Sequence, residues 1–118
     1  MCPSDGKVPS EHEEQVGFVF WFRQRYPDVL IFSIPNGARV GMGQAKKLVA
    51  EGLTAGVPDL FIPEWALFVE MKKRKGTLSQ DQKALIPRLE KIGMTVIVGN
   101  GAEDASRKII VFAKDRKK

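Results

Sequence analysis

The sequence predicts an α/β protein, a mixed β-sheet flanked by helices. Three observations carry that prediction. Segments with apolar residues at helical spacing alternate with short apolar, β-branched runs. Two of those runs, Val57 to Ile62 and Ala66 to Lys72, are separated only by Pro63-Glu64-Trp65, so they should pair antiparallel. The chain has 118 residues, enough for one domain with a modest core.

Residues 1–9 read as a flexible lead-in and residues 10–118 as a single domain. Ser10 opens a helix, with Glu13 completing a capping box, and Pro27-Asp28 stop it after Tyr26. Val29 to Ile34 reads as a strand. Pro35-Asn36-Gly37 and Gly41-Met42-Gly43 bracket a loop that carries Arg39. Gln44 to Glu51 is a short helix ended by Gly52. After the predicted hairpin, Gly76 breaks the chain and Ser79 caps a helix to about Ile92, with Gln82 in the capping-box position. Leu85, Leu89 and Ile92 recur at helical spacing, and Pro87 should kink or break this helix. Met94 to Val98 is a strand, Asn100 to Ser106 a helical turn, and Lys108 to Ala113 a final strand.

Composition narrows the function classes. Hydrophobic residues make up 43% and charged residues 28%, ordinary for a soluble domain. No apolar run approaches the roughly 20 residues that span a bilayer. The polar stretch from Met1 to Ser10 has no signal-peptide core, so the expected location is the cytoplasm. Cys2 and His12 are each the sole residue of their kind. That excludes an intrachain disulfide and a Cys-rich zinc site, and argues against His-based metal sites and triads. The net charge of +5 is uneven. Residues 1–28 hold three Lys/Arg against five Asp/Glu, and residues 29–118 hold sixteen against nine. A basic body invites a polyanion such as nucleic acid. Lys73, Arg74 and Lys75 follow Lys72 directly and are candidate phosphate contacts, as are Arg39 and Lys46.

Apolar strands do not bury charges without compensation, yet Asp59, Glu70 and Lys72 interrupt the two hairpin strands. Side chains alternate faces along a strand, so Glu70 and Lys72 share one face, roughly 7 Å apart. The hairpin folds Asp59 back beside them. Two carboxylates can hold a hard cation such as Mg²⁺ or Mn²⁺, which favours phosphate as a further ligand and acidifies water. Lys72 would orient that water or stabilise charge on phosphorus. Together the three residues describe phosphodiester hydrolysis.

The first helix offers a third acid. Glu11, Gln15, Phe18 and Phe22 lie along one row, which points Glu11 toward the sheet as a candidate metal ligand. Glu13 is explained by the cap and Glu14 by solvent. Gln82 has a structural role as part of a cap and a candidate role in the active site.

Five blocks carry a family resemblance: Glu11-x-x-x-Gln15, Ile34-Pro35-Asn36-Gly37, Gly56-Val57-Pro58-Asp59, Glu70-x-Lys72 and Leu78-Ser79-x-x-Gln82. Over about residues 10–113 the chain resembles the virus-type replication-repair nuclease (VRR-NUC) family of the restriction-endonuclease-like PD-(D/E)XK superfamily. The resemblance implies divalent-metal DNA cleavage, with metal at Asp59 and Glu70, catalysis by Lys72 and accessory roles for Glu11 and Gln82. It also implies that Asn36 and Gly37 lie near DNA. Small stand-alone viral and bacterial members look like homodimers acting on branched DNA, including four-way junctions. The residues alone leave other readings open. One is a non-catalytic basic DNA-binding module. Another is a metal-dependent nuclease for flaps, single strands or RNA.

Overall fold

The computed structural model describes residues 8–35 and 41–116. Most of the expected lead-in, together with Asn36, Gly37, Arg39, Lys117 and Lys118, lies outside the described residues.

Helix α1 (Glu11–Arg25) begins with the expected capping box: Ser10 Oγ accepts the Glu13 N–H, and Glu13 accepts the Ser10 N–H. Four strands follow in the sheet order β1 (Phe32–Ser33), β2 (Leu60–Ile62), β3 (Leu67–Lys72), β4 (Thr95–Asn100). The first three pair antiparallel, and β4 pairs parallel with β3. The parallel pair needs a crossover, supplied by α3 (Gln80–Lys91). Helix α2 (Met42–Ala50) lies between β1 and β2 in the chain, and α4 (Ala102–Arg116) ends it.

The core lies between one face of the sheet and helices α1 and α4. Phe18 and Phe22 pack on Leu60, Ile62, Leu67, Val69 and Met71, with Ala105 and Ile109 of α4. The three strand β3 members alternate, as a two-residue period requires. Phe68, Glu70 and Lys72 therefore face the other way. Trp65 joins the core rim against Phe22, Tyr26 and Phe112.

Several expectations are corrected. Residues 108–113 form no strand: one helix runs from Ala102 to Arg116. Its buried positions, Ala105, Ile109 and Ala113, recur every four residues, whereas Val111 is 60% exposed. Helical burial, with Glu103–Arg107 and Asp104–Lys108 pairs one turn apart, outweighs the β preference of Ile109-Ile110-Val111. Helix α3 runs through Pro87 without a break, and Pro87 is exposed. Its buried residue is Ile86, while Ile92 is exposed.

The first two strands are shorter than expected because their backbone donors are used elsewhere. The Val29 N–H turns back to the Tyr26 carbonyl, and the Leu30 N–H goes to the Glu64 carboxylate. In β2, Pro58 has no N–H, and the Asp59 side chain takes the Met71 N–H at 2.9 Å. No helix among the described residues is long and apolar enough to cross a membrane.

Candidate metal centre and active site

Strand register places the two sheet carboxylates together. Leu60 opposes Val69, so one step further sets Asp59 opposite Glu70 on the same face. Asp59 is held at two points. Its carbonyl accepts the Ile34 N–H at 2.7 Å, and its Oδ2 accepts the Met71 N–H at 2.9 Å. The other carboxylate oxygen remains available. The first turn of α1 brings in Glu11. One carboxylate oxygen from each of Glu11, Asp59 and Glu70 lies within 4.8 Å of the other two.

Glu70 is only 1% exposed, on a strand with neighbours on both sides. An exposed ion pair on an edge strand is therefore not what Glu70 and Lys72 form. Lys72 Nζ sits 3.3 Å from Glu70 Oε2. Glu70 Oε1 is fully buried and has no hydrogen-bond partner among the described residues. Burial, followed by the charge of Asp59, pushes the Glu70 carboxyl up to about 7, and Lys72 and Gln82 pull in the opposite direction. Like charges facing each other across a strand pair are destabilising unless something neutralises them. A hard divalent cation with oxygen ligands fits this donor set, and the unpartnered Oε1 gives it a ligand atom.

Gln82 forms the expected cap and lines the same cleft as Glu70. Its Oε1 accepts the Ser79 N–H at 2.9 Å, completing a capping box. The cap fixes the side-chain amide, which interacts with Glu70. Gly56 makes this approach possible. Its φ is +92°, and a Cβ there would lie 2.5 Å from the Asp81 carbonyl oxygen. A cleft of about 390 Å³ contains Glu11, Asp59, Glu70, Lys72 and Gln82, walled on one side by Ala45 and Val49 of α2.

The candidate phosphate contacts divide. Lys73 and Lys75 are exposed, immediately past Lys72, and Lys46 is exposed on α2. The Asn100 side chain holds the turn they occupy, donating to the Lys73 and Gly76 carbonyls at 3.2 and 2.9 Å. Arg74 turns away to a carboxylate missed from sequence. Glu14, expected in solvent, is 7% exposed. It accepts the Ala102 N–H at 3.1 Å and lies 3.4 Å from Arg74 Nε. A signal existed: Glu14, Phe18 and Phe22 form an i, i+4, i+8 row, and both phenylalanines are buried.

The chain is similar to a solved structure described as a VRR_NUC domain protein. The TM-score is 0.72 and the identity 25%, over 92% of this chain and 91% of that one. No family model and no curated protein matches. The chain's mixed four-stranded sheet with flanking helices thus matches the fold of a VRR_NUC domain protein, and the likeness supports the resemblance to the VRR-NUC family read from the sequence.

Proposed function

We propose that this protein is a divalent-metal-dependent endodeoxyribonuclease that hydrolyses phosphodiester bonds in branched DNA, in the manner of a Holliday-junction resolvase. The observation that carries the proposal is the convergence of Glu11, Asp59 and Glu70 beside Lys72. Mg²⁺ or Mn²⁺ bound there would supply an acidified water and neutralise charge on the phosphate. Asp59, just before β2, and Glu70 on β3 would hold the cation from the sheet, and Glu11 would hold it from the helix. Lys72 stands against Glu70 at the cleft, able to orient the attacking water and stabilise the phosphorane charge. Gln82 steadies the Glu70 carboxylate. Lys46, Lys73 and Lys75 grip flanking phosphates, joined by Arg39 through its charge and by Asn36 and Gly37 on the family resemblance. Arg74 is the remaining member of this basic run, half-exposed and paired with Glu14.

The branched-DNA reading rests on symmetry. A four-way junction has two-fold symmetry, and a C₂ dimer presents two active sites to two strands. A homodimer is supported by α1, which carries apolar residues on both faces. Phe18 and Phe22 face the core, while Val16 and Phe20 are exposed and share a groove with exposed Phe32 at the sheet edge.

A panel of labelled substrates tests the proposal: four-way junction, flap, linear duplex, single strand and RNA. Paired, symmetric cuts confined to the junction are expected. Cutting of flaps or single strands alone would keep the chemistry and remove the resolvase assignment. Salt-sensitive binding without cleavage under any metal would identify a DNA-binding module instead.

A further inference from the structure

We infer that Glu14 is a positioning residue for the metal centre, and that its contacts with Arg74 and Ala102 form a latch setting the reach of Glu11. The inference rests on the metal-centre reading above. Two of the three carboxylates are held by the sheet: Glu70 is on β3, and Asp59, just before β2, is fixed to it by the Met71 N–H and by the adjoining ladder. Glu11 has no such constraint. It sits in the first turn of a helix, exposed, and its own cap is formed locally by Ser10 and Glu13. Something must fix where that turn stands relative to the end of β3.

Glu14 does so from one turn further along α1. Its Oε1 accepts the N–H of Ala102, the first residue of α4, and its Oε2 faces Arg74, two residues beyond Lys72. A carboxylate at a helix N-terminus is favourably placed in the field of the helix. The junction it grips is tied back to the active strand, because the Gly101 N–H donates to the Lys72 carbonyl at 2.8 Å. Gly101, at φ +96°, leaves room: a Cβ there would lie 2.9 Å from Glu14 Oε2. One carboxylate thus joins α1, α4 and the exit of β3 at a point 88 residues apart in sequence from its helix-capping partner.

Burying a carboxylate to hold a helix end is costly where an apolar contact would pack as well. The cost is reasonable if precision is needed. A helix that slides by one residue moves about 1.5 Å along its axis. Metal–oxygen distances tolerate only about 0.2 Å, and a misplacement of about 1 Å in a reacting array costs on the order of 100-fold in rate. Apolar packing of Phe18 and Phe22 is non-directional, whereas the Glu14–Ala102 hydrogen bond is directional and the Arg74 ion pair adds charge attraction.

The test is Mn²⁺ titration calorimetry on the wild type, Glu11→Gln, Glu14→Ala, the Glu11→Gln/Glu14→Ala double variant, Glu14→Gln and Arg74→Met. Melting curves accompany each to confirm folding. Glu14→Ala should weaken Mn²⁺ about tenfold, and Glu14→Gln, which keeps an acceptor for Ala102, should recover most of that loss. In the Glu11→Gln background, Glu14→Ala should change affinity less than twofold, because the ligand it positions is gone. If Glu14→Ala fails to fold, Arg74→Met, which removes a half-exposed partner, should still weaken Mn²⁺ several-fold in wild type and not in Glu11→Gln. Additive losses, or unchanged affinity in folded Glu14→Ala, would overturn the positioning role while leaving the metal centre intact. Absence of Mn²⁺ binding by the wild type would overturn the metal centre itself, and the latch with it.

Discussion

The Glu70 carboxyl predicts an unusual pH dependence of stability for the metal-free protein. Its value of about 7 in the fold stands above 4.5, its ordinary value in an unfolded chain. The folded state therefore holds the proton more tightly than the unfolded state. The associated stability is fully present below pH 4.5 and is lost as pH rises through about 7. That gap corresponds to about 3 kcal/mol in total, of which about 2 kcal/mol falls between pH 5 and 7.5. For a chain of this size, 2 kcal/mol is a melting shift of roughly 5–10 °C. The assay is thermal unfolding in chelator across pH 5 to 7.5, for wild type and Glu70→Gln. Glu70→Gln removes the buried charge, so its melting temperature should exceed that of wild type at pH 7.5, and the difference should close toward pH 5. Adding Mg²⁺ or Mn²⁺ should raise the wild-type melting temperature most at high pH, since the cation competes with the proton. A wild-type minus Glu70→Gln difference that is flat, or that opens in the opposite direction, would refute the assignment of a strained buried carboxylate.

Other perturbations follow from the same structure. Gly56→Ala drives a methyl against the Asp81 backbone and forces a positive φ; a loss of about 2 kcal/mol by denaturant titration, with cleavage reduced further than unfolding explains, is expected. Ile109→Ala should cost about 2–4 kcal/mol, whereas Val111→Ala should cost under about 0.5 kcal/mol, because only Ile109 is buried. Equal costs would favour a strand over helix α4. Pro87→Ala should raise stability by about 1–3 kcal/mol by restoring a helical N–H at an exposed position, read as a higher denaturant midpoint.

The legible parts of the site were those governed by short-range periodicity. A two-residue period fixes Glu70 and Lys72 on one face, and a three-residue connection forces β2 and β3 to pair, so Asp59 arrives opposite Glu70. The two capping boxes were equally readable, because each is a local exchange between residues three apart. What escaped depended on distant partners. Glu14 looks like any acid in a first helical turn until α4 presents Ala102 to it. Residues 109–111 favour β structure locally, and only packing against α1 and β4 selects a helix. The shortness of β1 arises from Glu64, 34 residues away, which accepts the Leu30 N–H.

The most direct measurement is single-turnover cleavage of a labelled four-way junction in Mg²⁺, in Mn²⁺ and in chelator, for wild type and Lys72→Ala. Junction binding is measured in parallel. Cleavage should require the metal and should fall at least 100-fold in Lys72→Ala, while the variant still binds the junction. Cleavage that persists in chelator, or that survives in Lys72→Ala at the wild-type rate, would contradict a metal-dependent nuclease centred on Glu11, Asp59, Glu70 and Lys72.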